Sequence, residues 1–543
     1  MLGIFRHRDP ATGYIKRRSP TCGASPDNQD KPRALTTTTT TASTASPWSS
    51  SADATMAAVD VFFLTFNCAK NFVDVPVFAT HLLSALSKRS GADAAALPDV
   101  VAFSLQEVAP MSYSFIGPYF LDPYLAAYEE ALNLAAEAFN DPANDHDRPK
   151  LLDRLRPSSP TYTLVRSKNV GMTAVLLFAR DATAIVDVKE AEVGFGAAEM
   201  GNKGAAGLRV VYEDAESGRS TELTFVGTHL AAMEWNLAKR NANWATIMRG
   251  LTFGNPEEIL KPRPATSEAS LQGNGESGAR GASVDEVMRL LHDQHDEENR
   301  QMQQRLQDIS VFKPTSHLFV AGDLNYRISA TAPTPNASFP SLDPQSENYY
   351  PRFFPLDQLT RERKSGRTLH GLSEADVEFP PTYKYDIVPG SDNPLEVSWK
   401  FAPHRYPSWT DRVLYLDVPP WTKEQNPDVP DIKVQAYDAM PVLASSDHRP
   451  VFLRADVPII AKEDLFSPRQ QGDSTYPAEW DLDPRAKLPV EIDPEAWERR
   501  AAARQREVMA GWSMFFFSTQ EGTLVLGTLV VAAISGWWLY RQW

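Results

Sequence analysis

Two cysteines in 543 residues, Cys22 and Cys68, are too few for a disulfide framework, which excludes the small cross-linked secreted classes. A reducing, cytosol-facing setting is the natural expectation. The N-terminal region also lacks the apolar core of a secretory signal. Basic residues are in deficit: 54 Lys and Arg stand against 69 Asp and Glu, for a net charge of −15. A general nucleic-acid binder neutralises phosphates with clustered cations, so no nucleic-acid partner is expected, although a local basic pocket is still compatible with this balance. Long hydrophobic runs are missing everywhere except near the C-terminus.

That one exception is informative. From Gly522 to Tyr540 there are 19 residues without a charge, which as a helix span roughly 28 Å, enough for a thin bilayer. Trp537, Trp538 and Tyr540 lie beside Arg541, as in an interfacial aromatic belt. Residues 514–543 are therefore expected to be a single-pass tail anchor (transmembrane part 522–540), leaving the upstream chain in the cytosol. The endoplasmic reticulum is the expected membrane, with the mitochondrial outer membrane as the alternative. Residues 457–513, rich in proline and mixed charge, read as a linker between enzyme and membrane. Residues 1–56, with a Ser/Thr/Ala tract at Thr36–Ala45, read as a disordered tail. Their few arginines also suit a transit peptide, a reading that Asp9, Asp27 and Asp30 oppose.

Between these ends, short apolar runs alternate with helical stretches. Strands are expected at Val59–Phe66, Val100–Leu105, Thr173–Ala179, Thr221–Val226, His317–Ala321, Arg412–Leu416 and Pro450–Ala455. Helices are expected at Val77–Lys88, Pro123–Phe139 and Asn236–Leu251. This mixture predicts a layered α/β sandwich over residues 57–456. A Gly/Ser/Pro-rich stretch and the charged run after it, about residues 261–300, read as a surface insertion.

The polar residues of interest follow the strands, where ligand sites of layered α/β proteins form. Asn67 follows VFFLTF and Glu107 follows VVAFSLQ, each offering a hard oxygen suited to Mg²⁺, although either is equally readable as a turn or cap residue. His229 ends LTFVGTH, where a satisfied structural histidine is the competing reading. In LFVAGDLNYRI, Asp323 is placed to orient and deprotonate a water, and Asn325 offers an amide to a developing negative oxygen. An Asx turn is the alternative there. Asp411 in PSWTDRVLY, with Asp447 and His448 in ASSDHRPVF, completes the set: a histidine needs a carboxylate to hold its tautomer, and its protonated ring stabilises phosphate charge.

The ordered segments FNCAKN, SLQEV, MGNKGAAGLRV, THLAAMEWNLAKRN, GDLNYRI, PPTYKYD, RYPSWTDRVLY and SSDHRPVF resemble the inositol polyphosphate 5-phosphatase family over about residues 58–456. The resemblance implies a four-layer α-β-β-α sandwich of the deoxyribonuclease I-like type. It implies that Asn67 and Glu107 hold Mg²⁺, that Asp323 activates water with Asn325 assisting, and that Asp411 orients His448. His229 and His448 would contact the scissile phosphate, and Asp447 resembles a residue near the metal. Asn202, Lys203, Tyr383, Lys384 and Arg405 resemble the inositol-phosphate pocket, joined by Arg240 and Asn241 of the RNxD pattern.

Two positions depart from that pattern. Pro403 stands where the family places a lysine, with Lys400 or His404 as substitutes, and Asn243 stands where it places an aspartate. The activity so implied is Mg²⁺-dependent removal of the 5-phosphate from membrane phosphoinositides, with phosphatidylinositol 4,5-bisphosphate favoured by the anchor. A nuclease or sphingomyelinase-like phosphodiesterase of the same fold, or an inactive membrane scaffold, are the alternatives.

Overall fold

The computed structural model describes residues 57–90, 96–140, 160–261, 284–390, 393–468 and 476–543. The expected N-terminal tail and the Gly/Ser-rich part of the expected insertion lie outside the described residues. The charged run that follows is a helix, Val284–Ile309.

Two sheets organise the chain. The first has six strands in the order β12 (Lys433–Ala439), β13 (Val451–Pro458), β1 (Ala58–Asn67), β2 (Val100–Gln106), β4 (Thr173–Ala179), β3 (Thr163–Val170). The second has five: β11 (Asp411–Tyr415), β8 (Ser316–Asp323), β7 (Ser220–His229), β6 (Gly204–Glu213), β5 (Ile185–Gly194). A short ribbon of β9 (Tyr385–Ile387) and β10 (Trp399–Phe401) stands apart. Neighbours within each sheet are antiparallel except for one parallel pair inside each, β1 with β2 and β7 with β8.

The period-2 alternation of strands divides the apolar residues between two layers. On β1, Phe63 points between the sheets and meets Phe225 of β7 edge-on at 5.4 Å, while Phe225 stacks on Phe319 of β8 at 5.7 Å. The adjacent Phe62 faces outward into a cluster with helices Val75–Leu86 and Pro118–Asn140, where Phe78 and Tyr128 pack. On the far side, Leu318 and Val320 of β8 pack against Trp244 and Ile247 of helix Leu237–Gly250. Helices, sheet, sheet and helices thus form the four layers the resemblance implied.

The apolar strands fall within two or three residues of their expected positions. Strands β3, β5, β6 and β12 and the short β9 and β10 were not expected. Three of them, β3, β5 and β12, are edges of the two sheets whose polar sequences (TLVRSKNV, IVDVKEAEVG, KVQAYDA) carry no long apolar run. In β6, alanine and glycine stand in for bulk: a Cβ on Gly207 would lie 2.9 Å from the Phe253 ring.

The expected linker is the main correction. Residues 476–513 do not hang free; helix Ala496–Ser518 packs on helix Met111–Ile116, with Ala503 and Glu507 fully buried. Its first turns carry so much charge that the sequence reads as solvated, but those charges pair with groups on the domain. Helix Gln520–Gln542 follows, exposed along its length and long and apolar enough to cross a membrane.

Candidate active site

Parallel pairing brings the C-terminal ends of β1 and β2 together, and likewise those of β7 and β8. Register then sets the neighbours: His229 lies opposite Asp323, and Asp323 opposite Asp411 on the antiparallel β11. Gly322 makes this approach possible, since a Cβ there would stand 1.9 Å from the Thr228 carbonyl oxygen. The glycine before Asp323 therefore serves the contact with β7 rather than a turn.

Asp323 is the hub. Its Oδ2 accepts from the Asn67 amide at 3.0 Å and lies 3.2 Å from His229 Nε2 and 3.9 Å from His448 Nε2. Burial alone would raise its carboxyl, but His229, His448 and Lys203 hold it far below the usual carboxylate range. Asn325 follows with φ 58°, its backbone N–H donating to Asp323 Oδ1 at 3.1 Å, the local turn that the alternative reading described. Its side-chain amide donates to the Leu230 carbonyl at 3.2 Å.

His448 is buried with Nδ1 2.9 Å from Asp411 Oδ2. Thr382 and Thr410 hydroxyls donate to the same carboxylate oxygen at 2.7 and 2.8 Å. Burial opposes charge on the ring, yet Asp411, Asp323 and Asp447 together raise the imidazole to about 9, so it is protonated at neutral pH. His229 is shifted the other way: burial and the adjacent Lys203 ammonium keep it neutral.

Glu107 leaves β2 with φ 47° and pairs with Lys70 at 2.6 Å, with Lys203 3.9 Å away. Burial would raise its carboxyl, but His229, Lys70 and Lys203 lower it, so it is ionised. Glu107 offers an ionised carboxylate and Asn67 an amide oxygen that accepts from the Ala69 N–H at 3.1 Å, both hard donors of the kind a divalent cation takes. Asp323, Asp411 and His448 also lie close enough together to hold a metal ion. Within that group Asp411 Oδ2 and His448 Nδ1 face each other at 2.9 Å, while Asp411 Oδ1 has no hydrogen-bond partner among the described residues.

The expected pocket residues divide. Lys203 contacts His229 at the centre of the site. The Tyr383 ring packs on His448 with centroids 4.4 Å apart, and Lys384 pairs with Asp447 beside it. Arg405 sits at the rim, 3.3 Å from Glu234. The Asn202 side chain leans over Gly196.

Arg240 and Asn241 are corrections: neither faces the pocket. Arg240 is fully buried and donates to the carbonyls of Ala231 and Met233 at 3.2 and 2.7 Å and to Gln358 at 2.8 Å. Asn241 bonds Glu362 and Tyr326. Arg240 thus braces the loop that presents Met233 and Glu234, while Asn241 ties its helix to Glu362 and Tyr326. Asn243 accepts from the Ala231 N–H at 3.1 Å through its amide oxygen, which explains how asparagine replaces aspartate here.

Three contributors escaped sequence reasoning. Lys70 pairs with Glu107; Thr382 supports Asp411; and the Arg327 guanidinium, bonded to Asn325, lies 4.4 Å from the Tyr383 ring centroid. Each lies inside a segment that carried the resemblance, Lys70 in FNCAKN, Thr382 in PPTYKYD and Arg327 in GDLNYRI, and that was the available signal.

Two curated relatives are the inositol-1,4,5-trisphosphate 5-phosphatase 1 of Schizosaccharomyces pombe, 27% identical over 64% of this chain and 26% of its own length, and the polyphosphatidylinositol phosphatase INP53 of Saccharomyces cerevisiae, 26% identical over 71% and 26%. The chain thus spans about a quarter of the length of these relatives. A solved inositol polyphosphate 5-phosphatase domain of a synaptojanin, in complex with inositol (1,4)-bisphosphate and calcium, is 21% identical with a TM-score of 0.45, covering 83% of this chain and 90% of that one. Residues 64–454 match the sequence profile of endonuclease/exonuclease/phosphatase family 2, a span that runs from within β1 to within β13 and encloses every strand end described above. The chain belongs to that family.

Proposed function

We propose that the protein is a phosphoinositide 5-phosphatase acting on phosphatidylinositol 4,5-bisphosphate. The observation that carries this reading is a buried carboxylate set between a neutral and a protonated histidine, with Lys203 and Lys384 alongside for anionic substrate groups. The names of the curated relatives support the same substrate class.

Asp323 orients a water in line with the phosphorus and takes its proton as the new P–O bond forms. The bond to the inositol 5-oxygen breaks, and the His448 imidazolium donates a proton to that leaving oxygen. His229 stays neutral and holds Asp323 in place, and Asp411 fixes the His448 tautomer. Glu107 and Asn67 would hold Mg²⁺, which when bound supplies charge neutralisation at the phosphate oxygens. The apolar helix Gln520–Gln542 would attach the catalytic domain to the cytosolic face of a membrane, with the endoplasmic reticulum as the proposed location.

Asp323→Asn is expected to lower phosphate release by at least about 10³-fold with the fold intact by circular dichroism. The measurement is a panel of phosphoinositides and soluble inositol phosphates, with Mg²⁺ and with chelator. Near-normal turnover of the variant, or release insensitive to chelator, removes the mechanism.

A further inference from the structure

Helix Ala496–Ser518 does more than cover the domain. Its Glu507 is fully buried and accepts from the backbone N–H of Gly201 at 2.7 Å. Gly201 lies two residues before Lys203, in the loop between β5 and β6. The carboxylate is held in turn by Arg500, at 2.5 and 2.9 Å, and by Arg504 at 3.3 Å, while Arg500 also reaches Glu192 of β5 at 3.0 Å. A second tie to the same loop comes from Arg506, which donates to the Ala198 carbonyl at 2.9 Å. The loop is thus gripped from a helix some 300 positions away in sequence.

The other end of this helix is fixed against the domain and against the membrane segment. Trp512 and Phe515 pack on Phe120, at 6.2 and 5.3 Å, and a Cβ on Gly511 would stand 2.9 Å from the Phe115 side chain, so the backbones are in close contact. The junction with helix Gln520–Gln542 is equally tight: a Cβ on Gly522 would stand 1.9 Å from the Phe515 carbonyl oxygen, and Thr519 caps the second helix by accepting from the Gly522 N–H at 3.0 Å.

We propose that helix Ala496–Ser518 is a strut that runs from the membrane-spanning helix to the Ala197–Lys203 loop, with Glu507 as the positioning residue that sets Lys203 in the active site. The link to catalysis rests on the phosphatase reading above; the mechanical link does not. A buried carboxylate bonded to a backbone N–H fixes that amide in place, and two arginines hold the carboxylate in its orientation. The loop also receives the Met172 N–H at the Gly201 carbonyl and the Phe195 N–H at the Lys203 carbonyl, so the Glu507 bond adds a tie from the helix side to a segment whose glycines at 201 and 204 would otherwise allow it more freedom. Membrane attachment would then bear on substrate binding through a rigid path rather than only by proximity.

The test uses the full-length chain with Glu507→Ala, Glu507→Gln and the surface variant Arg506→Ala, which removes the second tie without touching a buried group. Amide hydrogen exchange over residues 196–203 is expected to rise about tenfold in Glu507→Ala and by a smaller factor in Arg506→Ala. Glu507→Gln, which retains an acceptor for the Gly201 N–H, restores most of the protection. On phosphatidylinositol 4,5-bisphosphate vesicles, KM is expected to rise about tenfold in Glu507→Ala while kcat stays within about twofold. Unchanged exchange in the 196–203 loop in Glu507→Ala and Arg506→Ala overturns the strut, as does a fall in kcat with KM unchanged. A wild-type protein inactive on every phosphoinositide overturns the phosphatase reading instead, and the exchange comparison still decides the strut.

Discussion

At the residue scale the site works by setting two histidines against each other. His448 keeps its proton because the negative carboxylates of Asp411 behind it and Asp323 in front stabilise the imidazolium, while burial and the Lys203 ammonium disfavour a charge on His229. The sign of the pH dependence follows: because the His448 imidazole is raised from 6.5 to about 9, the protonated form and the stability it contributes are fully present below pH 6.5 and lost as the pH rises through about 9. A rate that needs the imidazolium therefore falls on the alkaline side near pH 9. Asp411→Asn removes the main support for that charge, so the alkaline limb of kcat/KM should move down toward 6.5, with a loss of roughly 10²- to 10⁴-fold at neutral pH. A pH–rate profile of both proteins checks this, and an unmoved limb would assign the ionisation to another group. The residue types at these positions were legible in the sequence, because each lies at or near a strand end: His229 and Asp323 close β7 and β8, Asp411 opens β11 and His448 precedes β13. Their protonation states were not, since they depend on neighbours contributed by β7, β8, β11 and the loop before β6.

At the element scale, the strands that were legible are those buried on both faces, whose sequences are continuous apolar runs. VFFLTF, VVAFSLQ and HLFVAGD are the central strands, and their ends carry Asn67, Glu107 and Asp323. The polar edge strands were illegible for the opposite reason, as β5 shows with Asp187 and Lys189 exposed, whereas the edge strand β11 is buried throughout and was legible. The start of helix Leu237–Gly250 shows the limit of motif reading. Arg240 and Asn241 were expected to touch substrate, but Arg240 donates to the carbonyls of the loop at 231–236 and Asn241 bonds Glu362 and Tyr326. Arg240→Ala should accordingly destabilise the protein by about 2–4 kcal/mol, because it leaves several buried acceptors unpaired. Denaturant unfolding measures the loss; a change in KM without a stability change would return Arg240 to the substrate pocket.

At the scale of the whole molecule, an exposed apolar helix adjoins a charged domain. Replacing Leu529 and Val530, both more than 45% exposed, with arginine places two charges near the centre of that helix. Each should oppose insertion by about 2.5–3.5 kcal/mol, so the double variant should fail to float with lipid vesicles while the wild type does. Equal flotation would mean that the helix does not insert. The sequence by itself determined the layered α/β class, the strand ends that bear the chemistry and the apolar helix near the C-terminus, because all three are written as local runs and periodicities; the two-sheet, four-layer arrangement came from the resemblance alone. Only the tertiary structure decided that Arg240 braces the loop at 231–236 and that Asn241 bonds Glu362 and Tyr326. It also decided that Lys70, Thr382 and Arg327 join the site, and that residues 496–518 grip the domain rather than trail from it. Those outcomes depend on contacts between residues far apart in the chain, such as Glu507 and Gly201. A charged run looks the same in sequence whether its charges meet water or one another.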